Sequence, residues 1–244
     1  MKRVFLLFLA LLTLLGASNT MAQKTNTTKK EVTKFLGIPV DGTKNQMIQK
    51  LKAKGFTYNQ KQDMLKGKFN GRDVYISVVT NKNKVWRIMV QDAVSLSETA
   101  IKIRFNELCR QFMENGKYVP QDLTGKYEIE DTYLRSSKRY EAAYFQVSDK
   151  DKEYIQKIQE GNQEIRDEIQ NDLLDYLNQK YTQEQLDNLT EEEIQSETIS
   201  FVLEMVFERI KHRSVWFMIS DEILDYRIIM YYDNELNKAN GEDL

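Results

Sequence analysis

The chain has 244 residues, 41% of them hydrophobic and 30% charged, with a net charge of only −2, one histidine and one cysteine. A single cysteine excludes an intramolecular disulfide, and one histidine beside it excludes a His/Cys zinc site, so stability has to come from burial. The charge is divided along the chain: from Lys24 to Glu128 basic residues outnumber acidic ones two to one, whereas Asp149 to Glu193 holds fourteen acidic and five basic residues. A division of this kind guides a partner or reflects solvated helix faces.

Met1-Lys2-Arg3, the apolar run Val4 to Gly16 and the small-residue segment ending at Ala22 have the form of a secretory signal peptide. The expected product is an exported protein, periplasmic or secreted, that is not integral to a membrane once the signal is cleaved. Residues 23–30 read as a flexible leader, and Glu31 to Leu36 as a helical turn or short strand. A helix follows, capped by Thr43 with Gln46 in the capping-box position, carrying Met47, Ile48, Leu51 and Ala53 on one stripe and stopped by Gly55. From Met64 to Gln91 the pattern predicts a three-stranded antiparallel meander. Asn70-Gly71 predicts a two-residue type I′ turn that pairs Leu65 with Ile76. A three-residue loop over Asn81 to Asn83 then pairs Val78 with Trp86, Ile76 with Ile88 and Val74 with Val90. The greasy face so formed is Leu65, Val74, Ile76, Val78, Trp86, Ile88 and Val90.

A second helix, capped by Ser95 with Glu98, is expected to bury Leu96, Ala100, Ile101, Phe105, Leu108, Cys109 and Phe112. Cys109 on that stripe reads as a buried structural thiol. Tyr118 to Asp131 reads as loop and Lys138 to Val147 as a strand. Next come acidic helices with a stripe from Ile155 to Leu177 and a break at Gly161, and a short helix within Tyr181 to Leu189. An apolar helix opened by Thr190 and Glu193 follows, its stripe Ile194, Ile199, Val202, Leu203, Val206, Phe207 and Ile210. Two strands, Ser214 to Ser220 and Leu224 to Asp233, are expected to turn at Asp221-Glu222. The fold class is α+β: an antiparallel meander packed by helices, as a tandem pair of such units with a helical insertion in the second. The boundaries are 1–22 signal, 23–30 leader, 31–117 first unit, 118–233 second unit with an insertion over about 149–190, and 234–244 a polar tail. Val85 to Met89 and Tyr226 to Met230 are alike in pattern, the trace of the pairing.

The inventory for catalysis is thin. His212 ends a helix between Lys211 and Arg213, where cations complement the helix dipole. The sequence carries no glycine-rich phosphate loop, nucleophile elbow or HExxH motif, so no catalytic residue, cofactor or metal ligand is assigned. Asp221, Glu222, Asp225 and Asp233 around the last hairpin are the carboxylates a glycoside hydrolase would need, and Asp233-Asn234-Glu235 has donors of the kind that chelate calcium, without EF-hand spacing. Candidate interaction residues are Asn70 and Arg72 in one turn, Lys82 and Lys84 in another, and Trp216, Tyr226 and Tyr231 among the aromatics of the closing strands. No nucleic-acid motif accompanies the basic half.

The segments FLGIPVDGTKNQMIQKLKAKGF, LKGKFNGRDVYISVV, KVWRIMV, IKIRFNELCRQF and RIIMYYDNELNKANGEDL resemble a family of exported proteins of gut Bacteroidales, a resemblance that brings no activity with it. More distantly, Gly42 to Gln91 is similar to the helix-plus-sheet unit of the β-lactamase-inhibitor proteins and of the small lipoprotein subunit of the outer-membrane β-barrel assembly machine. That likeness implies a binding module without catalytic residues. The expected function is an exported, non-enzymatic binding or scaffold protein whose partner is a protein of the envelope or the extracellular space. A carboxylate-based hydrolase of glycan or peptidoglycan is the alternative, and a carrier of lipid or small molecules the third. Oligomeric state is not encoded in any pattern of the chain.

Overall fold

The computed structural model describes residues 30–122, 124–135, 138–222 and 225–239. They form an α+β protein with antiparallel sheets, in two compact units. The expected signal segment lies outside the described residues.

The sheet unit comprises residues 30–147 and 210–239. It begins with a small hairpin, β1 (Lys34–Phe35) and β2 (Ile38–Pro39), turning through Leu36 and Gly37 at φ 51° and 80°. Helix α1 (Lys44–Ala53) has the complete Thr43/Gln46 capping box and buries Met47, Ile48 and Leu51. Strands β3 (Thr57–Asn59), β4 (Met64–Phe69), β5 (Arg72–Asn81) and β6 (Lys84–Asp92) follow, then helix α2 (Glu98–Glu114) and strands β7 (Tyr118–Pro120) and β8 (Glu141–Gln146). After an excursion into the helical unit the chain returns as β9 (Arg213–Glu222) and β10 (Asp225–Asn234). The eight longer-range strands form one antiparallel sheet in the order β3-β4-β5-β6-β10-β9-β8-β7. Nothing in the residues 118–131 had indicated β7, a three-residue edge strand.

The first hairpin has the expected register, Leu65 opposite Ile76 and Phe69 opposite Arg72, with Asn70 and Gly71 both at positive φ. The second differs. Lys82 and Asn83 both adopt positive φ, 46° and 63°, so the loop has two residues and Asn81 pairs with Lys84. A bulge between Val79 and Thr80 on one strand and Arg87 and Val85 on the other takes up Trp86. Val78 therefore meets Ile88, Ile76 meets Val90 and Val74 meets Asp92. Trp86 is displaced from the core face, which Val85 completes instead. The extra residue of a bulge goes unpaired and re-aims its side chain, which the three-residue loop could not anticipate.

Where the expectation was a tandem pair of three-stranded units, the structure has one sheet to which the two halves contribute four strands each. An offset of 77 carries Met64–Phe69 onto Glu141–Gln146, and one of 141 carries Arg72–Asn81 onto Arg213–Glu222. The two halves meet where β6 pairs with β10, and an offset of 140 places Val90 on Met230, the residues that face each other there. A pseudo-two-fold axis thus passes through the centre of the sheet.

One face of the sheet is covered by α1 and α2. Val74, Ile76, Ile88, Ile228, Met230, Val215, Phe217 and Tyr144 pack there against Met47, Leu51, Ile101, Phe105 and Leu108 in one cluster. Burying each large side chain contributes roughly 1.5–3 kcal/mol. Helix α2 starts after Ser97, which makes no side-chain cap bond, and not at Ser95. Glu98 is taken up by the Leu134 backbone N–H at 2.6 Å and by Lys102, so it cannot turn back to close a box.

The helical unit, residues 148–209, contains α3 (Asp149–Gln159), α4 (Gln163–Lys180), α5 (Gln183–Asn188) and most of α6 (Glu191–Ile210). Gly161, at φ 65°, separates α3 from α4 as expected. Its core is Tyr154, Ile165, Ile169, Leu173, Leu177 and Phe201. On α6 the stripe is rotated from expectation: Ile194, Thr198 and Phe201 are buried, while Ile199, Leu203 and Phe207 are about half exposed. No helix among the described residues is long and apolar enough to cross a membrane.

Candidate functional site

Strand alternation puts every second residue of the sheet on the face away from α1 and α2. Register then arranges these residues in rows. Ser77, Met89, Tyr231, Trp216 and Ala143 form the central row, with Val79, Arg87, Asp233, Ser214 and Phe145 above it and Tyr75, Gln91, Ile229, Met218 and Glu141 below. This face is aromatic, methionine-bearing and charged together, and its middle is half-buried.

Trp216 and Tyr231 face each other across β9 and β10, stacked with centroids 4.0 Å apart and 20° between planes. The Arg87 guanidinium lies 4.6 Å from the Tyr231 ring centre and 5.5 Å from that of Trp216, and 4.2 Å from that of Trp86. Arg139 reaches Trp216 from the other side, at 5.4 Å. Asp233 holds the group together. Its carboxylate accepts from Arg87 Nε at 2.7 Å and Nη2 at 2.6 Å, and from Trp216 Nε1 at 3.0 Å. It is 1% exposed, and a bidentate charge-assisted pair of this kind fixes geometry as well as contributing energy. Burial pushes the Tyr231 phenol above its ordinary value, with Arg87 and Arg139 opposing.

Of the candidate interaction residues, the structure brings together two, Trp216 and Tyr231. Tyr226 points to the opposite face and packs on the core beside Leu96. Arg72 also lies on the helix-covered side by strand alternation, close enough to act on Asp92 and Arg104. Asn70 donates to Gln111 Oε1 on α2 at 2.9 Å. Lys82 and Lys84 are exposed at the other end of β5, roughly 30 Å from Arg72 at the rise of an extended strand. The two turns are thus separate places.

Arg87, Asp233, Trp86 and Arg139 were not singled out as one site. The signal was present but displaced. A turn at Asp221-Glu222 pairs Trp216 with Arg227. In the structure Asp221 pairs with Tyr226 and Glu222 with Asp225, so both expected turn residues belong to the strand ladder and Trp216 meets Tyr231.

The carboxylates Asp225 and Asp233 of the last hairpin do not converge. Asp225 and Asp233 are eight residues apart on one strand, about 26 Å, far beyond the roughly 5–9.5 Å that glycoside chemistry uses. Asp233 is committed to Arg87 and Trp216, and Asn234 donates to Val40 O at 2.8 Å and accepts from Leu236 N, so the Asp233-Asn234-Glu235 run braces the chain. His212 is buried, with Nε2 2.5 Å from Glu31 O. The Cys109 thiol is buried and desolvation pushes it up to about 12, away from nucleophilic chemistry. Comparison with protein-family models, with curated proteins and with solved structures returns no match.

Proposed function

We propose that this is an exported, non-enzymatic binding or scaffold protein that recognises a protein of the cell envelope or the extracellular space through the sheet face carrying Trp216, Tyr231 and Arg87. The observation that supports it is the clamped stack itself. Tryptophan, tyrosine and arginine are the residues that dominate protein interfaces, and here Asp233 holds the arginine and the tryptophan, on which the tyrosine stacks, before any partner arrives. Side chains already ordered lose little further entropy on association. The likeness of Gly42 to Gln91 to units that act as binding modules favours the same reading. A carrier would need space between sheet and helices. There Gly67 lies so close to Phe56 that an added Cβ would stand 2.4 Å from its ring.

The test is capture from envelope extract by the immobilised chain, comparing wild type with Trp216→Ala and with Lys66→Ala as a control on an exposed outer position. A partner retained by wild type and control but lost at least tenfold by Trp216→Ala, with an unchanged circular dichroism spectrum, is the expected result. Capture of nothing above background, together with turnover of a glycan or peptidoglycan substrate panel, would overturn the proposal in favour of the hydrolase.

A further inference from the structure

The helical unit carries a second place where chemistry collects. A groove of about 480 Å³ runs between α4 and α6 over Tyr154 of α3. Glu168, Asp172 and Asp175 line it from one side and Glu204 and Glu208 from the other, above a floor that includes Tyr154, Tyr176 and Phe201. Arg209 is the single cation among the lining residues. Lys180 pairs with Glu197, Lys157 with Glu153 and Lys152 with Asp149, none of which lines the groove.

An acidic row alone is usually a solvated helix face, so a second observation is needed. Tyr154 supplies it. The residue is 8% exposed, yet its hydroxyl has no hydrogen-bond partner. The charges that act on that hydroxyl are those of Glu168, Arg209 and Asp172, all of them lining the groove. A buried phenol left without a partner costs about 1–3 kcal/mol, and a donor arriving along the carboxylate row would satisfy it. The chain also shows what the floor accepts: the Arg209 guanidinium lies 3.9 Å from the Tyr154 ring centre, with its Nε 4.0 Å from Asp151. Carboxylates around an aromatic floor stabilise organic cations through both charge and ring quadrupole. Burial pushes the Glu168 carboxyl above its ordinary value, with Arg209 opposing and Asp172 and Glu164 adding to the shift.

From this geometry we propose that the α4–α6 groove binds a basic peptide segment, lysine and arginine side chains entering between the two carboxylate rows. A peptide fits better than a small amine because the lining of α4 continues from Glu168 to Gln179, about 16 Å of helix, long enough for several cations in succession. This site is independent of the sheet face and adds a second kind of recognition.

The experiment uses the purified chain and a fluorescein-labelled octalysine peptide, read by anisotropy at low and at physiological salt. Saturable binding is expected. It should weaken at least tenfold in Glu168→Gln/Asp172→Asn/Glu204→Gln and less than twofold in Asp187→Asn/Glu191→Gln/Glu192→Gln, which removes the same charge from the unit outside the groove. Tyr154→Phe, which deletes only the unpartnered hydroxyl, should weaken it about threefold. Equal weakening by the two triple variants overturns the proposal, because binding would then follow net charge. Displacement of the peptide by spermine at equal cation concentration overturns it in favour of a small polyamine, and absence of saturable binding overturns it outright. Circular dichroism of every variant separates loss of the site from loss of the fold.

Discussion

At the scale of single residues, Asp233 joins the sheet to its outer face. Removing the carboxylate leaves the Arg87 guanidinium, 21% exposed, without its bidentate partner and frees the Trp216 indole. Loss of one member of a buried pair costs about 3–5 kcal/mol. Because Arg87 retains some solvent, Asp233→Ala should lower stability by about 2–4 kcal/mol, read from the urea midpoint. A midpoint unchanged within error would show that the pair is merely adjacent. Gly67 is a second sensitive position: with the Phe56 ring 2.4 Å from an ideal Cβ, Gly67→Ala forces that ring aside and should cost about 1–3 kcal/mol. Cys109 follows from burial. With the thiol raised to about 12, a disulfide reagent at pH 8 should label it only after denaturation, and labelling of native protein would contradict the packing. The buried role of Cys109 could be read from its place on a helical stripe. That of Asp233 could not, because its partner lies 146 residues away and local pattern offers only a polar residue at a strand end.

At the scale of elements, local chemistry was the reliable guide. Thr43 closes its capping box and so does Thr190, whose N–H donates to Glu193 at 2.8 Å while its hydroxyl accepts from Glu193 N at 3.2 Å. Asn70-Gly71 turns as it should. Lys82-Asn83 was missed because lysine is a poor candidate for positive φ, and the stripe of α6 was misplaced because seven of the nine residues from Ile199 to Phe207 are apolar, so that periodicity there selects no single face. The link from α4 to α6 allows a pH prediction. Glu197 on α6 accepts from Lys180 at 2.8 Å and from Tyr181 at 2.7 Å, and these partners, Lys180 first, hold its carboxyl below its ordinary value. A carboxylate depressed in the folded state contributes stability above its unfolded value and loses it as pH falls through the folded one. Glu197→Gln should therefore melt below wild type at pH 7, the gap closing as pH drops below the ordinary carboxylate range. A gap constant with pH would mean that glutamine disturbs packing and not charge.

At the scale of the whole molecule, the repeat accounts for the architecture. The likeness of Val85 to Met89 and Tyr226 to Met230 pointed to it, but whether two sheets or one resulted depended on β6 finding β10 across 140 residues of chain, which no local pattern records. Joining the halves covers the two long edges that separate sheets would expose, and leaves only the three-residue β3 and β7 outermost. The same correspondence locates the insertion. In the first half Phe69 and Arg72 flank the two-residue turn Asn70-Gly71; their counterparts are Gln146 and Arg213, so the helical segment stands where the first half has Asn-Gly. Its core is made of its own residues. Replacing residues 148–209 by Asn-Gly should therefore leave a sheet unit that unfolds cooperatively, with a smaller denaturant dependence because less surface is exposed on unfolding. Val147 and His212 have to stay, since the Val147 N–H donates to Lys117 O at 2.8 Å and the His212 ring meets Glu31 O. A shortened chain that loses its cooperative transition would mean that β8 and β9 depend on the insertion to pair.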